Sequence, residues 1–181
     1  MKNNFAKTIR VVTVPPVMAL LLVAILWSGF FTLREAPLTL LCLCILPTMA
    51  YLFSRDRDRQ RRLAFILSGV GYVAGFALSI ILDFGVVPRL ILTTYLLSVL
   101  ILTFFNQVLH IKASGHACGT AGPIAIFAFV FGHWAILAGI VLYAAIFWAS
   151  VCLKRHTPAE FLLGTGASLF ALLVSALIYL H

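Results

Sequence analysis

Long apolar runs constrain the fold of this chain more than any other feature of its sequence. A transmembrane helix needs about 20 mainly apolar residues to cross a hydrocarbon layer of about 30 Å. Such runs lie near residues 11–32, 37–53, 63–82, 87–105, 118–133, 135–153 and 158–180. Two of them are short, so we predict six or seven spans. Because hydrocarbon requires backbone polar groups to be satisfied internally, we predict an all-α, polytopic transmembrane helical bundle.

The composition excludes an ordinary soluble domain. The chain is 63% hydrophobic and 10% charged, whereas soluble domains average about 45–50% apolar and 25% charged residues. Its 181 residues suit a single integral membrane domain, residues 1–181. We expect membrane lipids, and no nucleic acid, as partners. The cysteines lie in or beside apolar runs, so we expect neither a disulfide nor a metal site; they are Cys42, Cys44, Cys118 and Cys152.

Basic residues are distributed unevenly between the two sides of the predicted bundle. With seven spans, the N-terminus and the segments 54–62, 106–117 and 154–157 face the same side. That side holds eleven of the thirteen basic residues, and Arg34 and Arg89 lie opposite. By the positive-inside rule, we expect these loops to be cytoplasmic. We also expect the bilayer to be a bacterial inner membrane.

Two weaker patterns concern packing. Gly71-x-x-x-Gly75 has the spacing of a helix-packing motif. Asp83 and Arg89 flank a short turn on the side opposite the basic loops, where they are placed to pair.

Two polar segments interrupt the apolar pattern on the basic side. One is KASGHACG, at 112–119, and the other is KRHTPAE, at 154–160. They place His116 and His156 at the same end of the predicted bundle, together with basic residues and a carboxylate. Such a site has a nucleophile or base, an acid, and positive charge for an anion.

A purely structural interpretation of these residues also exists. Thr157 as N-cap, Pro158 at the first helical position and Glu160 form a capping box. Lys154 and Arg155 would then be ordinary basic flanks of a span, and His116 an interfacial histidine.

The motifs in these segments resemble those of a known family. Ser114-Gly115-His116 is followed forty residues later by His156, with Glu160 four positions beyond. This pattern resembles the second and third signature motifs of the type 2 phosphatidic acid phosphatase superfamily, Pro-Ser-Gly-His and Ser-Arg, five residues, His, three residues, Asp. The resemblance covers roughly residues 54–175 and is to a diverged prokaryotic branch.

The resemblance implies roles for individual residues. His156 would be the nucleophile that forms a phosphohistidine, Glu160 the carboxylate that orients it, and His116 the acid that protonates the leaving alcohol. Ser114 and the amides at Gly115 would bind phosphate oxygens. No metal or other cofactor is implied, because side chains supply the positive charge.

The chain departs from the family pattern at the cations. Ala149 and Ser150 stand where the third motif has Ser-Arg, and the first motif has no clean counterpart. We therefore expect Lys112 and Arg155 to hold the phosphate, with charge added by Arg59 and Arg62.

The sequence thus predicts a membrane-embedded phosphatase. Its substrate would be a lipid phosphate or a polyprenyl diphosphate, hydrolysed through a phosphohistidine. The alternative is a catalytically inactive relative that binds or transports an anionic lipid.

Overall fold

The computed structural model describes residues 2–53 and 56–180, and the helical prediction is confirmed there. The α-helices are α1 (Lys2–Val12), α2 (Pro15–Phe30), α3 (Glu35–Leu40), α4 (Leu46–Phe53), α5 (Arg57–Ile81), α6 (Val86–Thr103), α7 (Gly115–Phe131), α8 (His133–Cys152) and α9 (Pro158–Tyr179). A π-helical turn, Leu41–Ile45, joins α3 to α4, and another, Phe104–Val108, extends α6.

Several helical segments are long and apolar enough to cross a bilayer. Within the described ranges there are five, namely Glu35–Phe53, Asp58–Ile81, Val86–Val108, His133–Cys152 and Pro158–Tyr179. A sixth arises if α1 and α2, which are bent by 54°, form one span. The apolar helix α7 has 17 residues. These segments agree with the predicted six or seven spans.

The first span differs from its predicted bounds because the chain bends before two prolines. Val14 has φ −62° and ψ 146°, an extended conformation. A residue that precedes proline is disfavoured in the helical region, so Pro15 ends the run of helix. The bend separates the amphipathic helix α1 from the apolar helix α2, so the predicted span 11–32 is broken between Val12 and Pro15.

Helix α9 packs against α6 and α7 through small residues. Its buried positions include Gly164, Ala167, Ser168, Ala171 and Ser175. A Cβ atom at Gly164 would overlap the backbone carbonyl oxygen of Ser114. This close approach brings the beginnings of α7 and α9 together, and both polar segments lie there.

Helix α5 uses the predicted glycine spacing for packing. A Cβ atom at Gly71 would overlap the carbonyl oxygen of Cys42, and one at Gly75 would lie 2.7 Å from a methyl carbon of Leu92. The Gly71-x-x-x-Gly75 motif therefore lies at a helix contact, as its spacing indicates.

The end of the bundle opposite the basic loops has its own polar network. Arg89 forms an ion pair with Asp83 at 2.9 Å, which confirms their predicted pairing. Glu35 accepts hydrogen bonds from the amides of Gly85, at 2.6 Å, and Thr32, at 2.7 Å. These contacts connect the polar turns at this end of the bundle.

The four basic segments meet at the other end, as the count of spans predicts. Arg10 of α1 contacts Ser150 near the end of α8. Arg61 of α5 lies close enough to Arg10 to repel it electrostatically. Lys112 reaches Glu160 at the start of α9. Two residues of the predicted segment 54–62, Ser54 and Arg55, lie outside the described residues.

This arrangement predicts the sidedness of chemical labelling. In a cysteine-free background, Asp58→Cys and Lys112→Cys should react with a membrane-impermeant maleimide from the same face. Leu33→Cys, whose parent side chain is 83% exposed, should react from the opposite face. Labelling of positions 58 and 112 from different faces of intact cells or inverted vesicles would contradict the arrangement.

The contact between α7 and α9 predicts different effects for two glycine substitutions. Gly164→Ala should destabilise the protein by about 1–3 kcal/mol, because the added methyl group overlaps the Ser114 carbonyl. Gly166→Ala is the matched control, since nothing lies within 4 Å of a Cβ atom there. It should be neutral or stabilising by up to about 1 kcal/mol. Equal unfolding temperatures of the two variants in detergent would rule out close packing at Gly164.

Candidate active site

The start of helix α9 is a complete capping box. Thr157 Oγ1 accepts a hydrogen bond from the Glu160 amide at 3.2 Å, and Glu160 Oε2 accepts one from the Thr157 amide at 3.3 Å. Pro158 occupies the first turn, where no amide hydrogen is needed. The structural interpretation of this segment is therefore confirmed.

The same carboxylate also contacts the histidine that the resemblance singles out. His156 Nδ1 lies 3.1 Å from Glu160 Oε2, one helical turn away. Because a carboxylate only accepts, Nδ1 carries the hydrogen and Nε2 keeps the lone pair. The side chains are 11% and 19% exposed for His156 and Glu160, respectively. The capping contact and the contact with His156 therefore coexist in a single carboxylate.

The environment of His156 favours its neutral form. Burial lowers the pKa of His156 below its usual range, although the hydrogen bond with Glu160 opposes this shift. The positive charges of Arg10 and Lys112 act in the same direction as burial. A neutral imidazole whose Nδ1–H is engaged presents Nε2 as a nucleophile or base.

Glu160 also links α9 to the loop that precedes α7. Lys112 Nζ lies 3.5 Å from Glu160 Oε1, and the Ser114 amide donates to the Glu160 backbone oxygen at 2.9 Å. Asn106 holds the same loop through both backbone groups of Ala113, at 3.1 and 3.3 Å. The Lys112 side chain is 69% exposed, so its ammonium group is free to turn toward a ligand.

Helix α7 begins at Gly115, with Ser114 as its N-cap. Ser114 is fully buried, and its Oγ accepts from the Ala117 amide at 3.2 Å. Gly115 is exposed, and the first amides of a helix lack partners within it. A phosphate contact by the Ser114 hydroxyl remains a prediction, since this geometry uses that hydroxyl as a cap. The amides of Gly115 and His116 are placed where a helix start can bind an anion.

His116 lies in the first turn of α7 and has a buried polar atom without a partner. Its Nε2 atom forms no hydrogen bond within the described part of the chain. An unpaired buried nitrogen costs about 1–3 kcal/mol. Both Arg10 and His156 act on this imidazole electrostatically. The two predicted histidines are therefore neighbours, and His116 has room for a hydrogen bond to a ligand.

The end of α8 turns sharply before the histidine. Lys154 adopts a left-handed conformation with φ 51°, and the Arg155 amide donates to the Ser150 oxygen at 3.2 Å. This is the hydrogen bond of a Schellman turn, in which glycine is the usual left-handed residue. The turn leads the chain directly from α8 to Arg155 and His156.

The cations around the histidines differ partly from those predicted. Arg10 Nη1 donates to Ser150 Oγ at 3.4 Å, and Arg155 is among its electrostatic neighbours. Ser150 is the residue that stands at the position of the third-motif arginine. From α5, Arg61 is the arginine that acts on Arg10.

Arg59 and Arg62 are exposed on α5. Neither is seen in contact with the two histidines or with Glu160 in the described ranges, and their phosphate role remains a prediction. Helical geometry separates them from Arg61 by about 160° and 100° around the axis. Arg10 is not among the predicted phosphate-binding cations, because in the sequence it is one of several basic residues that precede the first apolar run.

An apolar groove opens beside this cluster. It has a volume of about 440 Å³ and lies between α9 and the end of α6 with its π-helical turn. Ile101 and Phe105 line one wall, and α9 contributes the other. The groove begins at Ala159, the residue before Glu160, so it leads from the polar cluster along the apolar part of the bundle.

The cysteines of the described ranges are unpaired, and no group of three metal-ligating side chains is found there. A comparison of the chain with protein-family models, with curated proteins and with solved structures gives no match.

Proposed function

We propose that this protein is a membrane-embedded phosphatase that acts on a lipid phosphate or a polyprenyl diphosphate. The observation that carries the proposal is the 3.1 Å contact between His156 Nδ1 and Glu160 Oε2, which leaves Nε2 as the available nucleophile. The neighbouring cations suit an anionic substrate, and His116 supplies a second imidazole with an unpaired nitrogen.

In the first step, His156 Nε2 attacks the phosphorus atom. The bond between phosphorus and the leaving oxygen breaks, and protonated His116 gives its proton to that oxygen. The product is an alcohol, or a monophosphate from a diphosphate. Glu160 stabilises the positive charge that develops on the phosphorylated imidazole. Burial, and after it the charge of Arg10, lowers the pKa of His116 in the empty site. A bound phosphate dianion acts in the opposite direction and favours the protonated imidazole.

In the second step, neutral His116 takes a proton from a water molecule. The water oxygen attacks phosphorus, the bond between phosphorus and nitrogen breaks, and inorganic phosphate leaves. His156 returns to its neutral form and His116 to its protonated form. Lys112, Arg155 and the first amides of α7 hold the phosphate oxygens in both steps, so the site needs no metal.

The groove at Ala159 supports a lipid substrate. It is lined by apolar side chains and begins one residue from Glu160. An acyl or isoprenoid chain fits such a lining while its phosphate lies at the histidines. We propose that the site faces the cytoplasm, since eleven of the thirteen basic residues belong to segments predicted on its side. The resemblance to a prokaryotic branch supports a bacterial inner membrane as its location.

The double role of Glu160 predicts that stability and turnover can be separated. Glu160→Gln should reduce kcat by about 10²–10⁴-fold, because a neutral amide does not stabilise the charged imidazole. It should change stability by less than about 1 kcal/mol, since glutamine also completes a capping box. Turnover of a lipid phosphate and the unfolding temperature are measured on one detergent preparation.

Thr157→Ala is the matched control, because it removes the cap and leaves the contact between His156 and Glu160. It should lower stability by about 1 kcal/mol while turnover stays within a few-fold. The reverse pattern, with Glu160→Gln active and Thr157→Ala inactive, would contradict the proposed role. A parent protein that binds lipid phosphates but hydrolyses none of them would be the inactive, lipid-binding relative.

The groove predicts a chain-length effect. Gly166 lines it, and no atom lies within 4 Å of a Cβ there, so Gly166→Phe should fill it without a clash inside the bundle. The KM for a long-chain lipid phosphate should rise several-fold, while kcat/KM for a short, water-soluble phosphate ester should stay unchanged. Equal effects on both substrates would place the lipid chain elsewhere.

A further inference from the structure

The strongest feature beyond the predicted residues is the place of Arg10. Arg10 of α1 acts electrostatically on both His116 and His156, and among the groups of the described residues it alone is found to do so from a separate helix. Its own neighbours include Arg155 and Arg61, which repel it. A cation in such surroundings is destabilised unless an anion also binds there.

Its partners within the protein do not offset this charge. Arg10 Nη1 donates to the neutral hydroxyl of Ser150 at 3.4 Å, and no carboxylate in the described ranges contacts it. Glu160, the carboxylate that contacts His156, also pairs with Lys112. The guanidinium group of Arg10 has five N–H donors, most of which its contact with Ser150 leaves unused. The nearby His116 Nε2 is buried and forms no hydrogen bond in the described part of the chain.

Packing of helix α1 holds Arg10 in this place. Ala6 is fully buried, and Phe5 packs against Trp148 of α8 with ring centroids 6.2 Å apart. Ile9 packs against the cluster that contains Phe161 at the start of α9. The apolar face of α1 thus docks against α8 and the cluster that contains Phe161. These contacts offset the electrostatic repulsion at Arg10.

We propose that Arg10 binds the phosphate group of the substrate, so that the N-terminal helix α1 is a part of the active site rather than a membrane flank. The inference rests on the phosphatase function proposed above and adds a ligand-contacting residue from outside the two polar segments. A guanidinium group binds two phosphate oxygens at once, which an ammonium group does not do with the same geometry. Ser150 holds the side chain when the site is empty.

The test compares Arg10→Gln and Arg10→Lys with Lys7→Gln. Lys7 is exposed on the same helix, so its substitution removes an equal charge away from the histidines. Binding of radiolabelled inorganic phosphate is measured by equilibrium dialysis in detergent, and kcat and KM are measured with a lipid phosphate. The unfolding temperature of each variant checks that α1 remains docked.

Arg10→Gln should weaken phosphate binding about tenfold or more and raise KM by a similar factor, because a charge-assisted contact is lost. Arg10→Lys should lie between Arg10→Gln and the parent, and Lys7→Gln should stay within about twofold of the parent, as expected of an exposed, screened charge. This pattern, at unchanged unfolding temperature, supports the inference. If the parent protein binds phosphate without turnover, the same pattern in the binding data still supports it, and only the proposed phosphatase activity fails.

Unchanged phosphate binding and KM in Arg10→Gln would overturn the inference and leave the phosphatase proposal standing if the parent turns over. Equal losses in Arg10→Gln and Lys7→Gln would also overturn it, since they would indicate a general charge effect. A parent protein that binds no phosphate would overturn the inference as well.

Discussion

The candidate site depends on the side chain and backbone of Glu160. One carboxylate oxygen accepts from the Thr157 amide and from His156, and the other lies near the Lys112 ammonium. The backbone oxygen of the same residue accepts from the Ser114 amide. A carboxylate that is 19% exposed at the end of a membrane bundle has to be compensated by such partners. These contacts of Glu160 join the start of α9 to the loop before α7.

The rest of the bundle brings these partners within reach. Small residues of α9 allow α7 to approach, and Gly164 does so at the backbone of Ser114 itself. The turn at Lys154 places His156 between the end of α8 and the start of α9. The polar groups of the candidate site are thereby gathered at one end of the bundle, where, under the proposed function, a substrate anchored in the bilayer would present its phosphate.

Much of this arrangement could be predicted from sequence because apolar runs determine spans and their number determines sides. The meeting of the segments around His116 and His156 followed from that count alone. The break before Pro15 could also have been predicted from the sequence, since two adjacent prolines rarely continue a helix. The sequence could not separate a capping role of Glu160 from a contact with His156, because the same carboxylate oxygen makes both contacts.

The cations were harder to predict because their placement depends on helix phase and on tertiary packing. The phase of α5 selects Arg61 as the neighbour of Arg10, and no local pattern in a run of arginines indicates that phase. Arg10 lies close enough to act electrostatically on the histidines because α1 bends away from α2 and docks on α8. Without that bend, Arg10 would be an ordinary basic residue beside the end of a span.

The central claim is that His156 carries the phosphate between two steps, and trapping of that intermediate tests it most directly. The parent protein and His156→Ala are mixed with a lipid phosphate labelled with ³²P at phosphorus, quenched rapidly in alkali and compared after acid and alkali treatment. The account predicts a labelled adduct in the parent that is stable to alkali, labile to acid and absent from the variant, because a bond between phosphorus and nitrogen has that sensitivity. A His156→Ala protein that forms the same adduct, or that releases phosphate at the parent rate, would contradict it.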